Sequence, residues 1–220
     1  MSRILDDAVE SLLAAANPEP SPLLAEMTEH GEDRGFPTVG PDASQFLRLL
    51  ATLADAERVF EFGSGFGYSA AWFLSALPAD GEIVLTDYDE GNLDEAREFL
   101  GRLDADATVH YEAGDAIESF ERYDGPFDAV LLDHDKQRYA EAFDKVVEDI
   151  APGGVVVADN IMEGPVNTED VTDALRGGDP VDDQTAGIAR YVERVRDDPD
   201  FETAHVPLGE GLAVSVYRGE

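Results

Sequence analysis

Residues 59–69 read VFEFGSGFGYS, a strand-length apolar run that leads into glycine at positions 63, 65 and 67. Glycine lets a backbone approach a ligand closely, and a helix that begins after such a loop offers free N–H groups. The segment therefore predicts a strand, a glycine-rich turn and a helix beside a nucleotide-like ligand. A tight turn without any ligand is the alternative interpretation of the glycines alone.

The same segment argues against a dinucleotide. The pattern G-x-G-x-x-G requires glycine at the position of Tyr68. Glu61, two residues before the first glycine, would face a diphosphate with a carboxylate, whereas it suits a cation. S-adenosylmethionine carries an ammonium and a sulfonium group and no phosphate, so we expect this cofactor.

Apolar runs of strand length alternate with helical patterns around this segment. Strands are predicted at residues 58–62, 82–86, 107–112, 127–133 and 154–159, and helices at 4–16, 21–31, 42–53, 68–77, 92–103, 115–120 and 139–150. Continuous Val, Ile and Leu strands separated by helices predict a parallel sheet covered on both faces, in a doubly wound α/β fold.

The C-terminal third departs from this alternation. Residues 163–187 are rich in Gly, Pro, Asp and Asn, which predicts a long loop of functional importance. A helix over 185–197 and strands at 201–206 and 212–218 follow, and these two strands predict an antiparallel hairpin at the edge of the sheet. The sheet is then mostly parallel and seven-stranded.

The composition excludes several classes of function. The chain has 49 Asp and Glu against 15 Lys and Arg, a formal net charge of −34. We therefore expect no nucleic acid and no anionic membrane surface as a partner, because both require a basic face. The 19 aromatic residues indicate a folded protein rather than a disordered acidic one, and the absence of cysteine excludes disulfides, thiolate metal sites and cysteine nucleophiles.

Arginine far outnumbers lysine among the 15 basic residues: 13 are Arg, and only Lys136 and Lys145 are Lys. An acid-rich surface with this balance leads to the hypothesis of a halophilic source, and an ordinary acidic protein is the alternative. The N-terminal residues 1–16 carry three acids within any apolar stretch, and no apolar run approaches the ~18 residues of a membrane span. We expect a cytoplasmic protein.

Acids and an amide follow the predicted strands. Asp87 ends the second strand, where an acid of this fold reaches ribose hydroxyls, although a turn or N-cap role is the alternative. Asp89 or Asn92 is expected to cap the next helix. Asp115, after the third strand, suits a helix cap as well as it suits a ligand role.

The fourth and fifth strands end in LLDHDK and VADN, residues 131–136 and 157–160. The carboxyl ends of both strands open onto the same crevice of a parallel sheet. Asp133, Asp159 and Asn160 therefore offer three hard oxygen donors to one ion. Such donors favour Mg²⁺, with Ca²⁺ or Mn²⁺ as alternatives, rather than zinc. A structural cap is the alternative for each acid alone.

Lys136 closes the first of these motifs. Arginine stays protonated, whereas lysine can exchange a proton, so a lysine in a chain that otherwise uses arginine predicts proton transfer. A surface lysine at a helix start is the alternative. His134 is expected to be structural.

Taken in order, the segments EFGSGFGYS, TDYD, GDA, LDHDKQRY and ADN resemble the metal-dependent O-methyltransferases of the caffeoyl-CoA and catechol type. The similarity runs from about Thr38 to the C-terminal DPDFETAHVPLGEGLAV. It implies a Rossmann-like class I methyltransferase fold, a homodimer, and one domain over residues 1–220. That domain divides into N-terminal helices (1–55), a cofactor and metal core (56–160), an acceptor-side loop (161–187), and a helix with a hairpin (188–220).

The resemblance also implies roles for individual residues. Lys136 would be the general base and Asp133 would join it in catalysis. Asp133, Asp159 and Asn160 would bind the metal. The cofactor contacts would be Thr38, Glu61, Gly63, Gly65, Ser69, Asp87, Asp115, Ala116 and Asp133.

The expected reaction is methyl transfer to a small molecule with vicinal hydroxyls, such as a catechol. A coenzyme A ester is disfavoured because the N-terminal part offers only Arg3, Arg34 and Arg48 for a phosphorylated carrier. Methyl transfer to a nucleic-acid hydroxyl is a rival interpretation that the net charge disfavours. A non-catalytic adenosyl-binding module is a second rival, which the set of two acids, one amide and one lysine disfavours.

Overall fold

The computed structural model describes residues 4–219 and confirms the doubly wound α/β fold. The helices are α1 (Asp7–Ala16), α2 (Pro22–Arg34), α3 (Pro41–Leu53), α4 (Tyr68–Leu74), α5 (Glu90–Leu100), α6 (Ala116–Phe120), α7 (Tyr139–Val146), α8 (Thr168–Leu175) and α9 (Asp183–Arg196). The strands are β1 (Arg58–Phe62), β2 (Glu82–Asp87), β3 (Thr108–Ala113), β4 (Phe127–Leu132), β5 (Ile150–Ala158), β6 (Phe201–Val206) and β7 (Leu212–Tyr217).

The seven strands form one sheet in the order β3-β2-β1-β4-β5-β7-β6. Strands β1 to β5 are parallel, and β7 pairs antiparallel with both β5 and β6, as the C-terminal hairpin pattern predicts. The chain moves outward from β1 to β3 and then returns to place β4 on the other side of β1. This reversal opens a crevice beyond the carboxyl ends of β1 and β4, where ligands bind in such sheets.

Both faces of the sheet are buried. Val59 of β1 packs into one hydrophobic cluster with side chains of α3, α4 and α5, whereas its neighbour Phe60 packs into a second cluster with α6, α7 and α9. Successive strand residues point to opposite faces, so a strand covered on both sides must be apolar throughout. The continuous apolar runs of the sequence therefore predicted the layers correctly.

The prediction of an irregular loop over 163–187 is wrong. Helix α8 lies within it and begins after Asn167, whose side chain accepts a hydrogen bond from the backbone N–H of Asp170 at 2.9 Å. Val171 buries its side chain on the inner face of this helix. The Gly and Pro residues that suggested a loop lie on either side of the helix rather than in it.

Other boundaries shift for local reasons. Helix α1 starts at Asp7 rather than at residue 4 because the side chain of Asp6 accepts from the N–H groups of Ala8 and Val9 and caps the helix. Asp89 caps α5, as predicted. None of the described helices is long and apolar enough to cross a bilayer.

Candidate active site

A cavity of about 460 Å³ opens at the carboxyl edge of the sheet, beside the reversal between β1 and β4. Nine of the residues that the sequence singled out line it: Thr38, Gly63, Gly65, Ser69, Asp87, Asp133, Lys136, Asp159 and Asn160. They come from four strand ends, from the first turn of α4 and from the segment before α3. The fold thus brings most of the predicted cofactor, metal and catalytic residues to one cavity.

The glycine loop packs against the end of β4. Gly63 has φ +84°, and a Cβ atom there would lie 2.5 Å from the carbonyl oxygen of Asp133. Any side chain would push the loop away from the acid, and the positive φ disfavours other residues. The loop is tied to β2 as well, because the N–H of Ser64 donates to the carbonyl of Thr86 at 2.8 Å.

Asp87 holds the loop in addition to lining the cavity. Its Oδ2 accepts from the N–H of Gly65 at 3.0 Å, and its Oδ1 accepts from the N–H of Asp89 at 2.8 Å and from the Asn92 amide at 3.2 Å. A carboxylate has about four lone-pair positions, so these three bonds leave capacity for a ligand hydroxyl. The acid therefore both shapes the loop and faces the cavity.

Glu61 lies beneath the cavity rather than on its wall. Its side chain is fully buried, and neither carboxylate oxygen has a hydrogen-bond partner within residues 4–219. Burial raises the pKa of Glu61 to about 8, against a lowering effect of the nearby Ser69 hydroxyl. A buried carboxyl of this kind stays protonated near neutral pH unless a cation comes close.

Asp115 and Ala116 do not line the cavity. Asp115 caps α6 by accepting from the N–H groups of Ile117 and Glu118, and it forms an ion pair with Arg138. Burial opposes ionisation of Asp115, but the Arg138 hydrogen bond and the two cap bonds outweigh it and lower its pKa to about 2. The cap interpretation therefore accounts for the contacts of Asp115.

Lys136 forms the centre of a buried polar cluster. It is 6% exposed, and its Nζ donates to Oδ1 of Asp133 at 2.8 Å and to the hydroxyl of Tyr139 at 2.7 Å. The Asp133 side chain keeps 25% of its exposure because it faces the cavity. Burial raises the pKa of Asp133, and the charge and hydrogen bond of Lys136 oppose that shift. The interpretation of Lys136 as a surface side chain is therefore wrong.

Asp159 and Asn160 extend the cluster across the cavity. Asp159 is 2% exposed and its Oδ1 has no partner among the described residues. Burial raises the pKa of Asp159 well above its usual value, and the charge of Asp133 adds to the effect. The backbone N–H of Asn160 and the charge of Lys136 favour the ionised form, so within residues 4–219 one oxygen of this buried carboxyl, Oδ1, is left for a ligand.

Glu210 fixes the amide of Asn160 and was missed by the sequence reasoning. Its carboxylate accepts from the Asn160 amide nitrogen, so the amide oxygen is left for another partner. Gly164 permits this approach, because a Cβ there would lie 2.3 Å from the Glu210 carboxylate. Glu210 lies in the loop between β6 and β7, which reads PLGEG over residues 207–211, and a lone acid between two glycines is the signal that the sequence offered.

The donor set fits a hard divalent cation. Within residues 4–219, no three His, Cys, Asp or Glu side chains are arranged to hold a metal, so the predicted set depends on two carboxylates and one amide oxygen. The unpartnered Asp159 oxygen and the free Asn160 amide oxygen are both hard donors, and Mg²⁺ keeps several positions for water or substrate. The metal assignment of Asp133, Asp159 and Asn160 stays a prediction.

A second cavity of about 770 Å³ adjoins the first and shares Val39, Gly164, Pro165 and Glu210 with it. Its other lining acids are Glu10, Asp42, Glu163, Asp170 and Asp182, and no Lys or Arg among the described residues lines it. The wall comes from the segment around α1 and α3 and from residues 163–185. We refer to it as the outer chamber.

His134 makes no polar contact within the described part of the chain. Both ring nitrogens are buried without partners, and the ring packs 5.3 Å from Phe62 and 5.2 Å from Tyr139. Burial and the charges of Lys136 and Arg138 lower the pKa of His134 to about 3. The imidazole is therefore a neutral packing group, in agreement with its expected structural place.

Comparisons with known proteins indicate the family to which the chain is similar. A family model described as O-methyltransferase matches residues 15–217. The chain is 34% identical over 185 residues to a catechol O-methyltransferase of Niastella koreensis, covering 80% of this chain and 78% of that protein. It is 25% identical to caffeoyl-CoA O-methyltransferase 2 of Petunia hybrida, over 90% of this chain and 83% of that one.

Solved structures give the same fold. The O-methyltransferase of Bacillus cereus in complex with SAH aligns with a TM-score of 0.82 at 24% identity, over 96% of this chain and 97% of that one. TomG of Streptomyces achromogenes, in complex with SAM, aligns with a TM-score of 0.83 at 23% identity, over 96% of each chain.

Proposed function

Since the chain belongs to the O-methyltransferase family, we propose that it transfers a methyl group from S-adenosylmethionine to one hydroxyl of a small acceptor with vicinal hydroxyls. The observation that carries the proposal is that Lys136, Asp133 and Asp159 line the same cavity as the glycine loop. A module that only bound an adenosyl ligand would have no use for a buried lysine beside two acids.

Different residues would bind the cofactor, bind the metal and accept the proton. The loop from Gly63 to Gly67, with Asp87 and Ser69, would hold S-adenosylmethionine. Asp133, Asp159 and Asn160 would hold a divalent cation. When bound, the first supplies an electrophilic methyl group and the second lowers the pKa of the acceptor hydroxyl. The amine form of Lys136 takes the proton of that hydroxyl, and the buried setting of the cluster excludes water.

The outer chamber supports an acceptor without an anionic carrier. Its described lining includes Glu163, Asp170, Asp182 and Glu210 and no basic side chain. A phosphorylated carrier such as coenzyme A would meet like charges there, which costs binding energy. We infer a free small diol as the acceptor.

Turnover of a matched acceptor series tests the proposal. Catechol should be methylated in the presence of Mg²⁺ and lose turnover on addition of EDTA. Resorcinol and phenol, which lack vicinal hydroxyls, should be poor acceptors, and caffeoyl-CoA should be poorer than caffeic acid. Equal rates for catechol and phenol with EDTA present would contradict the metal and diol parts of the proposal.

We also infer a homodimeric cytoplasmic enzyme. Helix α1 buries no side chain, and Leu49 and Leu53 of α3 are 50% and 74% exposed. Large exposed apolar side chains are typical of surfaces that meet a partner. Sedimentation equilibrium should give twice the mass of the chain in molar potassium chloride.

A further inference from the structure

Tyr139 is a buried side chain to which the proposed function assigns no role. It begins α7, three residues after Lys136, and it is 0% exposed. Its hydroxyl lies 2.7 Å from Nζ of Lys136 and 3.2 Å from the carbonyl oxygen of Asp159. The ring does not line the cavity, so Tyr139 is not placed to contact an acceptor.

The chemistry of the two groups sets the direction of each hydrogen bond. An ammonium group donates and cannot accept, so Lys136 donates to the Tyr139 oxygen. The hydroxyl hydrogen of Tyr139 is then donated to the carbonyl oxygen of Asp159, 3.2 Å away. Tyr139 therefore ties the lysine at the end of β4 to the backbone at the end of β5.

Two fixed acceptors leave one position on the lysine nitrogen. Nζ donates to Asp133 at 2.8 Å and to Tyr139 at 2.7 Å, and Lys136 also lines the cavity. In the ammonium form the remaining position is a third N–H; in the amine form it is the lone pair. Because Asp133 and Tyr139 occupy the other two positions, this one is left for the acceptor hydroxyl.

The surrounding packing keeps the tyrosine ring in place. The ring of Tyr191 meets it edge-on at a centroid distance of 5.6 Å, and the ring of His134 lies 5.2 Å away. Helix α9 packs closely against the backbone of Lys136, which precedes Tyr139 in the chain. A Cβ atom at Gly187 of α9 would lie 2.3 Å from the carbonyl oxygen of Lys136. Close packing of this kind restricts the ring to one orientation.

We propose that Tyr139 is a positioning residue for the proton-accepting lysine: with Asp133, its hydroxyl fixes Nζ of Lys136 so that the remaining position of the nitrogen faces the acceptor. The inference rests on the proposed function, in which Lys136 takes the proton. Its geometric part, a lysine nitrogen held by a tyrosine, is independent of the acceptor.

Removal of one oxygen atom tests the proposal, and Tyr191 supplies a matched control. Tyr139→Phe should lower kcat roughly ten- to a hundredfold, the scale of a misplaced catalytic group, with the KM of the acceptor and the cofactor affinity nearly unchanged. Tyr191→Phe removes a hydroxyl from an equally buried neighbouring ring that makes no hydrogen bond to Lys136, and it should keep the kcat of the natural chain.

A double-mutant cycle separates positioning from a general structural effect. If Tyr139 acts through the lysine, Tyr139→Phe should cause no further loss of kcat in a Lys136→Met background. Equal losses in both backgrounds, or an unchanged kcat in Tyr139→Phe alone, would overturn the proposal.

A spectroscopic readout needs no acceptor. The chain has only two lysines, so labelling with ζ-¹⁵N lysine gives one ammonium signal for Lys136 and one for Lys145, which is 44% exposed. We expect slow hydrogen exchange at Lys136 in the natural chain, faster exchange and a shifted signal in Tyr139→Phe, and no change in Tyr191→Phe. Fast exchange at both lysines of the natural chain would overturn the positioning. If Lys136 exchanges slowly but the protein turns over no diol, the proposed function is contradicted instead and the positioning is not.

Discussion

The two halves of the cavity are built from different parts of the chain. The half proposed to bind the cofactor, at the ends of β1 and β2 and called the cofactor half below, is shaped by backbone: Gly63 lies against the Asp133 carbonyl, and the Gly65 N–H donates to Asp87. The half proposed to bind the acceptor, at the ends of β4 and β5 and called the acceptor half below, is shaped by charged side chains that contact one another, such as Lys136 and Asp133. Loss of a group should therefore damage binding in the first half and chemistry in the second.

The largest effect is expected in the acceptor half from Lys136→Arg. Arginine keeps the positive charge but has a pKa of ~12.5 or more and does not accept a proton near neutrality. Turnover should fall roughly 10²- to 10⁴-fold, with little change in cofactor affinity by calorimetry. Lys145→Arg, at the other, exposed lysine, is the control. A wild-type rate for Lys136→Arg would show that the lysine is only a charge.

Asp159→Ala should act through metal affinity in the same half. The substitution removes an unpartnered buried oxygen, so the apparent affinity for Mg²⁺ should drop roughly ten- to a hundredfold. Turnover should recover partly as Mg²⁺ is raised, which distinguishes this loss from that of Lys136→Arg. Asp144→Ala, at an exposed acid, should leave the Mg²⁺ dependence unaltered; a loss in Asp159→Ala that no Mg²⁺ concentration relieves would refute the ligand role.

Asp87→Ala should weaken the cofactor half. The variant loses a ligand acceptor and frees the Gly65 N–H, and hydrogen bonds to a charged group each contribute about 1.5–3 kcal/mol. The dissociation constant of S-adenosylhomocysteine should therefore rise roughly tenfold or more in calorimetry, with the melting temperature changed far less. Asp94→Ala, on an exposed turn of α5, is the control. Unchanged affinity would remove Asp87 from the cofactor site.

Glu61 gives a pH dependence of stability. Burial raises its pKa from 4.5 to about 8, so the folded chain retains a proton that the unfolded chain releases. This contribution is complete below about pH 4.5 and is lost as the pH rises toward 8, at no more than about 1.4 kcal/mol per pH unit. Urea unfolding of Glu61→Gln should show a slope that is smaller by up to this amount, because Asp159 and Glu210, whose pKa values burial also raises, keep their own contributions. Glu98→Gln, at an exposed acid, should leave the slope of the natural chain unchanged.

Salt should have the smallest of these effects, because it acts on charges over the whole surface rather than on one group in the cavity. With 49 acids against 15 basic residues, screening relieves repulsion among like charges. The melting temperature should rise as potassium chloride increases from dilute to molar. The proposed homodimer should dissociate at low salt before the chain unfolds. A melting temperature independent of salt would refute the halophilic hypothesis.

Sequence patterns predicted the cofactor half better than the acceptor half. The turn after β1 is recognisable because glycine spacing is local and its backbone reason is local too. Glu61 shows the limit of the local argument, since the same segment does not reveal that its side chain points beneath the cavity. Asp115 shows the same limit, because its sequence position does not reveal that it both caps α6 and forms an ion pair with Arg138.

Helix α8 and Glu210 show why the acceptor half was harder to predict. The Gly and Pro residues around α8 concealed a short capped helix, whose stability comes from burial of Val171 against the rest of the fold. Glu210 is 50 residues from Asn160 along the chain, and no pattern in either segment indicates that they meet.

The sequence by itself determined the layered α/β fold, the turn at Gly63–Gly67 and the strand-end positions of Asp133, Lys136 and Asp159. Those features follow from side-chain periodicity and glycine conformation, which act over a few residues. Only the tertiary structure decided that Tyr139 and Asp133 share the nitrogen of Lys136 and that Glu210 turns the amide of Asn160. Such contacts depend on where whole strands and helices pack, and packing is fixed by long-range burial rather than by local pattern.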